Sequence, residues 1–94
     1  MSDLARNEAA LADAVRASAV EFLKVELKIG NTMLDLAAST DERDTHARRR
    51  AQAQEACSTV KRYLDGPAVP IPAEEREALL AGLRALERRI SAAP

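Results

Sequence analysis

The chain has very few aromatic residues: Phe22 and Tyr63 are the only two, and tryptophan is missing. Strands and sheet cores are enriched in aromatic and β-branched residues, so this scarcity argues against a β-sandwich or a β-barrel. Proteins that bind single-stranded nucleic acid stack the bases on aromatic rings, and such platforms are almost absent here. The sequence therefore points away from sheet folds and from base-stacking modules.

Residues that carry chemistry are also scarce, since the chain has one cysteine, one histidine and three glycines. One cysteine cannot form the internal disulfides of a small secreted domain. Three glycines supply no glycine-rich phosphate loop. No pair of carboxylates is bracketed by apolar residues that would raise a pKa for acid–base catalysis. We therefore expect a non-enzymatic protein without cofactor or metal.

Neither sign of charge dominates, and the chain has no long apolar run. The 14 basic and 15 acidic residues are interspersed and give a net charge of −1. Such a balance creates no global field for nucleic acid or an anionic membrane. The longest uncharged stretch, residues 66–73, is much shorter than the about 20 residues of a transmembrane helix. No signal peptide is evident, and we expect a soluble, cytoplasmic protein.

Alanine is abundant, with 20 of the 44 apolar residues. It favours helix strongly but buries little area, which predicts a thin core and closely packed helices. Arginine outnumbers lysine 11 to 3, and this composition is common in GC-rich bacteria. The length fits one domain, so we predict a single all-α domain over residues 1–94.

A long first helix is predicted over about residues 3–38, which contain no proline. Its apolar residues recur at helical intervals and keep one face apolar. They are Leu4, Leu11, Val15, Phe22, Val25, Ile29, Met33 and Leu36. A second stripe is added in the C-terminal half by Val20, Leu23, Leu27 and Leu34. That half therefore has a wide apolar arc, which we expect to contact two neighbouring helices.

Gly30 lies inside this half and allows two interpretations. Either Gly30 and Asn31 end one helix, or the glycine lets a neighbouring helix approach closely. A glycine inside a helix costs about 1 kcal/mol relative to alanine. Because the apolar stripe stays in phase from Ile29 to Met33, we predict one continuous helix.

A second helix is predicted over about residues 42–65 and a third over about 72–91. Ser39 and Glu42 have the form of a capping box before the second helix, with Thr40 or Asp41 as the alternative cap. Gly66 suits the left-handed position that follows a helix. The third helix has an apolar seam at Leu79, Leu83, Leu86 and Ile90.

These elements predict an up-down-up three-helix bundle with a proline-rich linker over residues 66–71. The second helix reaches back only to about residue 17 of the first, so residues 1–15 form an overhang. Its apolar side chains are Leu4, Leu11 and Val15. Only Val69 and Ile71 of the linker are near enough to cover them. An exposed apolar stripe usually marks an interaction surface, so we predict a partner helix or a homodimer here; the alternative is a frayed helix end.

The second helix also contains the most concentrated positive charge of the chain. The candidates for contact with an anion are Arg43, His46, Arg48, Arg49 and Arg50. They support a second hypothesis, a regulatory protein that contacts nucleic acid or another polyanion. In the alternative, which we favour, Glu42, Asp44 and the acidic groups of the first helix neutralise them.

Cys57 and His46 have no neighbours in the sequence that would make them reactive. They lie 11 residues apart on one helix, about 16 Å along its axis, which is too far for a nucleophile and its base. We expect Cys57 to be a small buried packing residue and His46 to be a solvated surface residue.

Residues 22–64 resemble a tetratricopeptide-type hairpin. The features are Gly30 in the first helix, a short polar turn, and small residues on both sides of that turn. These small residues are Ala37, Ala38, Ala47 and Ala51. The resemblance implies two antiparallel helices packed through small side chains, and a protein that binds peptides or proteins. It covers less than half of the chain.

Overall fold

The computed structural model describes residues 2–66 and 71–92, with side chains from residue 6 onward. Over these ranges the chain forms three helices and no strand: α1 (Ser2–Ala38), α2 (Arg43–Asp65) and α3 (Ala73–Ala92). The predicted all-α fold is confirmed, with each helix end within one residue of its predicted position. Among the helices described, none combines the length and apolarity needed to cross a bilayer.

The core consists of two buried clusters along the C-terminal half of α1. The first cluster holds Leu23, Val60, Leu64, Leu79 and Leu83. The second cluster holds Leu34, Ala53, Leu86 and Ile90. From the first cluster to the second, residue numbers rise along α1 and α3 and fall along α2. The topology is therefore up-down-up, as predicted.

α1 runs through Gly30 without a break, as predicted from the phase of its apolar residues. A Cβ atom placed on Gly30 would lie 3.3 Å from the Cβ of Ala56 in α2 and 2.5 Å from Cδ2 of Leu86 in α3. Glycine therefore allows both other helices to approach α1 at one level, and this close packing offsets its low helix propensity.

Two helix ends differ from the prediction. The hydroxyl of Ser39 donates to the carbonyl of Leu36 at 3.0 Å, and Glu42 makes no side-chain capping bond. The predicted capping box is therefore wrong, since Ser39 completes the end of α1. Gly66 has φ −84° and ψ 148°, an extended rather than left-handed conformation, because a residue that precedes proline is restricted to this region.

Arginines fasten the helix ends to each other. Arg76 of α3 donates to the carbonyl of Leu64 at the end of α2. Arg50 of α2 donates to the carbonyl of Ile90 near the end of α3, at 3.0 Å. The last carbonyls of a helix have no partner within the helix, so these bonds satisfy groups that would otherwise need water.

The molecule is a rod of 62 × 20 × 17 Å. Its radius of gyration is 16.7 Å, whereas a compact domain of this length has about 12 Å. Its exposed surface is 6626 Å², against about 5,300 Å² for a compact monomer of its mass. The start of α1 contributes to this excess, because its first buried side chain among those described is Val20.

Candidate interaction surface

One of the two predicted apolar stripes of α1 lies on the outside of the bundle. Its exposed members are Leu11, Val15, Phe22, Val25, Ile29 and Leu36. Between 40% (Ile29) and 66% (Leu11) of each residue is exposed. At about 100° per residue, all six fall within an arc of about 80°. We call these six residues the outer face of α1.

The bundle buries the other stripe. Its fully buried residues are Val20, Leu23, Leu34 and Ala37. Leu27 is partly buried and packs against both clusters. We expected the whole apolar arc to be covered by two neighbours, and this was wrong for the outer face. Both neighbours pack closely on the inner stripe, where Gly30 admits them, and neither extends around to the other side.

The overhang predicted for residues 1–15 forms one end of the outer face. Leu11 and Val15 are 66% and 50% exposed. The side chain of Leu4 and the whole of Val69 lie outside the described residues. Ile71 packs against the first cluster instead. Within the described part of the chain, nothing covers more than half of Leu11 or Val15.

The outer face extends onto α2 through one aromatic pair. The ring of Phe22 meets that of Tyr63 edge to face, with 5.4 Å between centroids and 60° between planes. Such a pair contributes about 0.5–1.5 kcal/mol beyond the area that it buries. Tyr63 remains 39% exposed, so the pair fixes Phe22 at the centre of the surface without covering it.

The outer face follows a seven-residue repeat. Val15, Phe22, Ile29 and Leu36 form one series. Leu11 and Val25 belong to a second series, together with Ser18 and Thr32. The two series are offset by four and three residues, which is the a and d spacing of helices that pack side by side as coiled coils. We assign the first series to a and the second to d.

The residues beside this seam lie at the e and g positions. The g edge, on the side away from α2, carries Glu21, Lys28 and Asp35. The e edge, toward α2, carries Ala12, Ala19, Glu26 and Met33. Glu21 and Lys28 are exposed, and Glu21 also accepts from Lys24 at 3.5 Å. Charged residues at these positions select the partner and orientation of paired helices.

The predicted arginine group does not form one surface. Arg49 contacts Gln52 at 3.2 Å and the sulfur of Met33 at 3.8 Å, so its guanidinium group lies against the bundle. Arg50 reaches the carbonyl of Ile90. Among the five candidates, two arginines therefore make contacts that hold helices together.

Arg43 and Arg48 are exposed, whereas His46 is half-buried. His46 lies with Arg50 and Arg89 around a pocket of about 360 Å³ beside the turn between α1 and α2. The expectation of a solvated histidine therefore holds only in part.

Arg89 forms a polar link between α3 and α1. It donates to Oδ1 of Asn31 and to Oδ1 of Asp35, both at 2.7 Å. The amide of Asn31 donates in turn to the carbonyl of Leu27 at 2.9 Å. Sequence reasoning missed this link, because Asn31 was considered only as a place where α1 might end.

Cys57 is half-buried and packs against both clusters. Burial raises the pKa of its thiol, the negative charge of Glu87 raises it further, and Lys61 opposes both effects. A raised pKa leaves less thiolate, which is the reactive form. Over the described residues, no three His, Cys, Asp or Glu side chains are grouped to hold a metal ion.

Comparisons with protein families, with curated proteins and with solved structures find no match to this chain. The resemblance of residues 22–64 to a tetratricopeptide-type hairpin therefore stays a prediction. The geometry of the outer face is the observation from which a function is argued.

Proposed function

We propose that this protein is a non-enzymatic interaction module that assembles with another α-helix through the outer face of α1. The carrying observation is the exposed apolar repeat that runs from Leu11 to Leu36. A contiguous apolar surface is typical of interaction sites. Its a and d spacing matches the seam by which one helix packs along another.

The area available supports this proposal. A stable interface buries about 800 Å² on each partner. The chain exposes about 1,300 Å² more than a compact monomer of its mass, and the outer face is part of that excess. Covering it would bury side chains that are now 40–66% exposed, at about 25 cal/mol for each Å² of apolar surface.

The setting is part of the proposal. We place the module in the cytoplasm, because its single cysteine calls for no oxidising compartment. The excess of alanine and arginine favours a bacterial source.

The experiment places a photo-reactive amino acid at Val15 or Ile29 and irradiates cells that produce the protein. We expect a crosslinked species, of whatever composition, from both positions. The matched control carries the same group at Arg84, which is exposed on α3, and should give none. If neither Val15 nor Ile29 gives a crosslink above the control, the outer face is not an interaction surface.

A companion measurement uses the purified protein. Light scattering on a sizing column at two salt concentrations compares the wild type with the variant Leu11→Glu/Val15→Glu. An apolar seam should keep the mass of the wild type insensitive to salt, and the variant should have only the monomer mass of 10.2 kDa. Equal masses above that of a monomer would show that assembly does not use the arm.

A second candidate function is contact with nucleic acid or another polyanion. The exposed Arg43 and Arg48 favour it, and the engagement of Arg49 and Arg50 within the bundle weakens it. Binding to phosphates releases counterions and therefore falls steeply with salt. Titration of a labelled duplex with the wild type and with Arg43→Ala/Arg48→Ala at two salt concentrations tests this candidate.

A further inference from the structure

We infer that the partner of the outer face is a second copy of this chain, with the two α1 helices antiparallel and Phe22 of one copy level with Val25 of the other. This inference rests on the proposed function and names its partner. The argument depends on the ends of the apolar stripe and on the charges along its edges.

The stripe covers itself when it is reversed about its own centre. In this register Leu11 of each copy lies level with Leu36 of the other, so the two ends of the outer face meet. The overlap runs over residues 11–36, a length of about 39 Å. Every apolar residue of the outer face then lies within the contact.

The interior of this seam is complementary in size. Antiparallel packing places a positions opposite d positions. Ile29 therefore faces Ser18, and Val15 faces Thr32. A helical serine or threonine can satisfy its hydroxyl at the carbonyl four residues earlier. The two polar d positions thus leave no unsatisfied group beneath the larger side chains.

The g edges carry the decisive charges. Antiparallel helices bring like edges together, so g faces g and e faces e. In the proposed register Glu21 of one copy faces Lys28 of the other, and two-fold symmetry repeats the pair. On the e edge, Glu26 faces the small side chain of Ala19. No like charges oppose each other at either edge.

Other registers and orientations oppose like charges. A shift of one heptad in one direction places Glu21 opposite Glu21 of the other copy. The opposite shift places Lys28 opposite Lys28 and Glu26 opposite Glu26. A parallel pair brings g against e and places Glu21 beside Glu26, twice. Repulsion of this kind selects between coiled-coil alternatives.

Charge reversal tests the inference. The dimer dissociation constant is measured by analytical ultracentrifugation at low salt for Glu21→Lys, for Lys28→Glu and for the double variant. Each single change creates two like-charge contacts, and we expect dissociation constants at least about tenfold higher. The double variant restores both pairs and should return to within about threefold of the wild type.

The controls separate these effects from a change in fold. Glu77→Lys and Arg84→Glu make the same charge changes on the exposed side of α3, and both should leave the dissociation constant unchanged. Circular dichroism should show equal helix content in every variant. Glu21 is 71% exposed in its side chain, so loss of its contact with Lys24 should not unfold α1.

Each contrary outcome overturns the inference in a recognisable way. In a parallel dimer, Glu21→Lys removes the repulsion with Glu26 and tightens association. In a dimer that uses another surface, neither single variant has an effect. A wild type that stays monomeric overturns the second copy as partner. If Val15 and Ile29 then still crosslink to a different protein, the proposed function stands.

Discussion

Leu86 lies so close to Gly30 that a Cβ atom on residue 30 would be 2.5 Å from its Cδ2. Leu86 is completely buried, and Ala56 closes the other side, so neither neighbour has room to move. This contact fixes the level at which α3 packs along α1. The two buried clusters lie on either side of this level.

Gly30→Ala should therefore destabilise the fold, although alanine is the better helix former by about 1 kcal/mol. Overpacking a buried site costs about 1–3 kcal/mol, and we expect a net loss of unfolding free energy in urea. Gly82→Ala is the matched control, because its added Cβ would meet only the end of the partly buried Leu27. A Gly30→Ala protein as stable as the control would refute tight packing here.

Arg89 should contribute to the docking of α3 through its bonds to Asn31 and Asp35. Its side chain is 43% exposed and that of Asp35 is 70% exposed. Exposed pairs of this kind contribute at most about 1 kcal/mol. We expect a small loss of unfolding free energy in Arg89→Met, which diminishes at high salt. Arg88→Met, an exposed neighbour, serves as the control and should change nothing.

Stability should depend on the ionisation of Cys57. The folded state raises the pKa of this thiol, through burial first and Glu87 second. The associated stability is fully present below the ordinary thiol pKa and is lost as pH rises through the raised value of the folded state. The urea midpoint of the wild type should therefore fall more steeply in alkaline solution than that of Cys57→Ala. Parallel curves would contradict this ionisation linkage.

The reactivity of Cys57 checks the same pKa independently. Because less thiolate is present, modification by a disulfide reagent should be slower at neutral pH than that of a free thiol. Glu87→Gln removes one of the causes of the shift and should accelerate the reaction.

The two stripes of α1 show what the sequence could predict. Proline, glycine and the phase of the apolar residues delimit each helix, and those limits were confirmed. Which stripe the bundle buries was not predicted, because Phe22 and Ile29 on the outside are as apolar as Leu23 and Leu34 on the inside. One signal was available: Gly30 is in phase with the inner stripe, and small residues mark the side where helices approach closely.

The arginines show a second limit. Successive residues on a helix point about 100° apart, so a run of arginines predicts charge on several sides and no particular partner. Arg50 reaches Ile90 only because α3 ends beside it. Such contacts depend on the relative positions of two helices, which local patterns in one sequence do not contain.

The ends of the outer face offer a test of orientation that does not depend on the central charges. Leu11 is 66% exposed and Leu36 is 42% exposed, so Leu11→Lys and Leu36→Glu should each leave the monomer folded. Each substitution alone places a charge against a leucine at both ends of an antiparallel dimer and should weaken it. Sedimentation of each variant, alone and at equal concentrations of both, measures the association.

Mixing should restore the dimer, because one end then pairs the new lysine with the new glutamate while the other end keeps Leu36 against Leu11. A charge-assisted contact replaces a desolvated lone charge at the first end. In a parallel dimer the two substitutions lie at opposite ends, and mixing cannot bring them together. Recovery in the mixture alone would therefore establish antiparallel α1 helices, and its absence would argue for parallel helices or for a different surface.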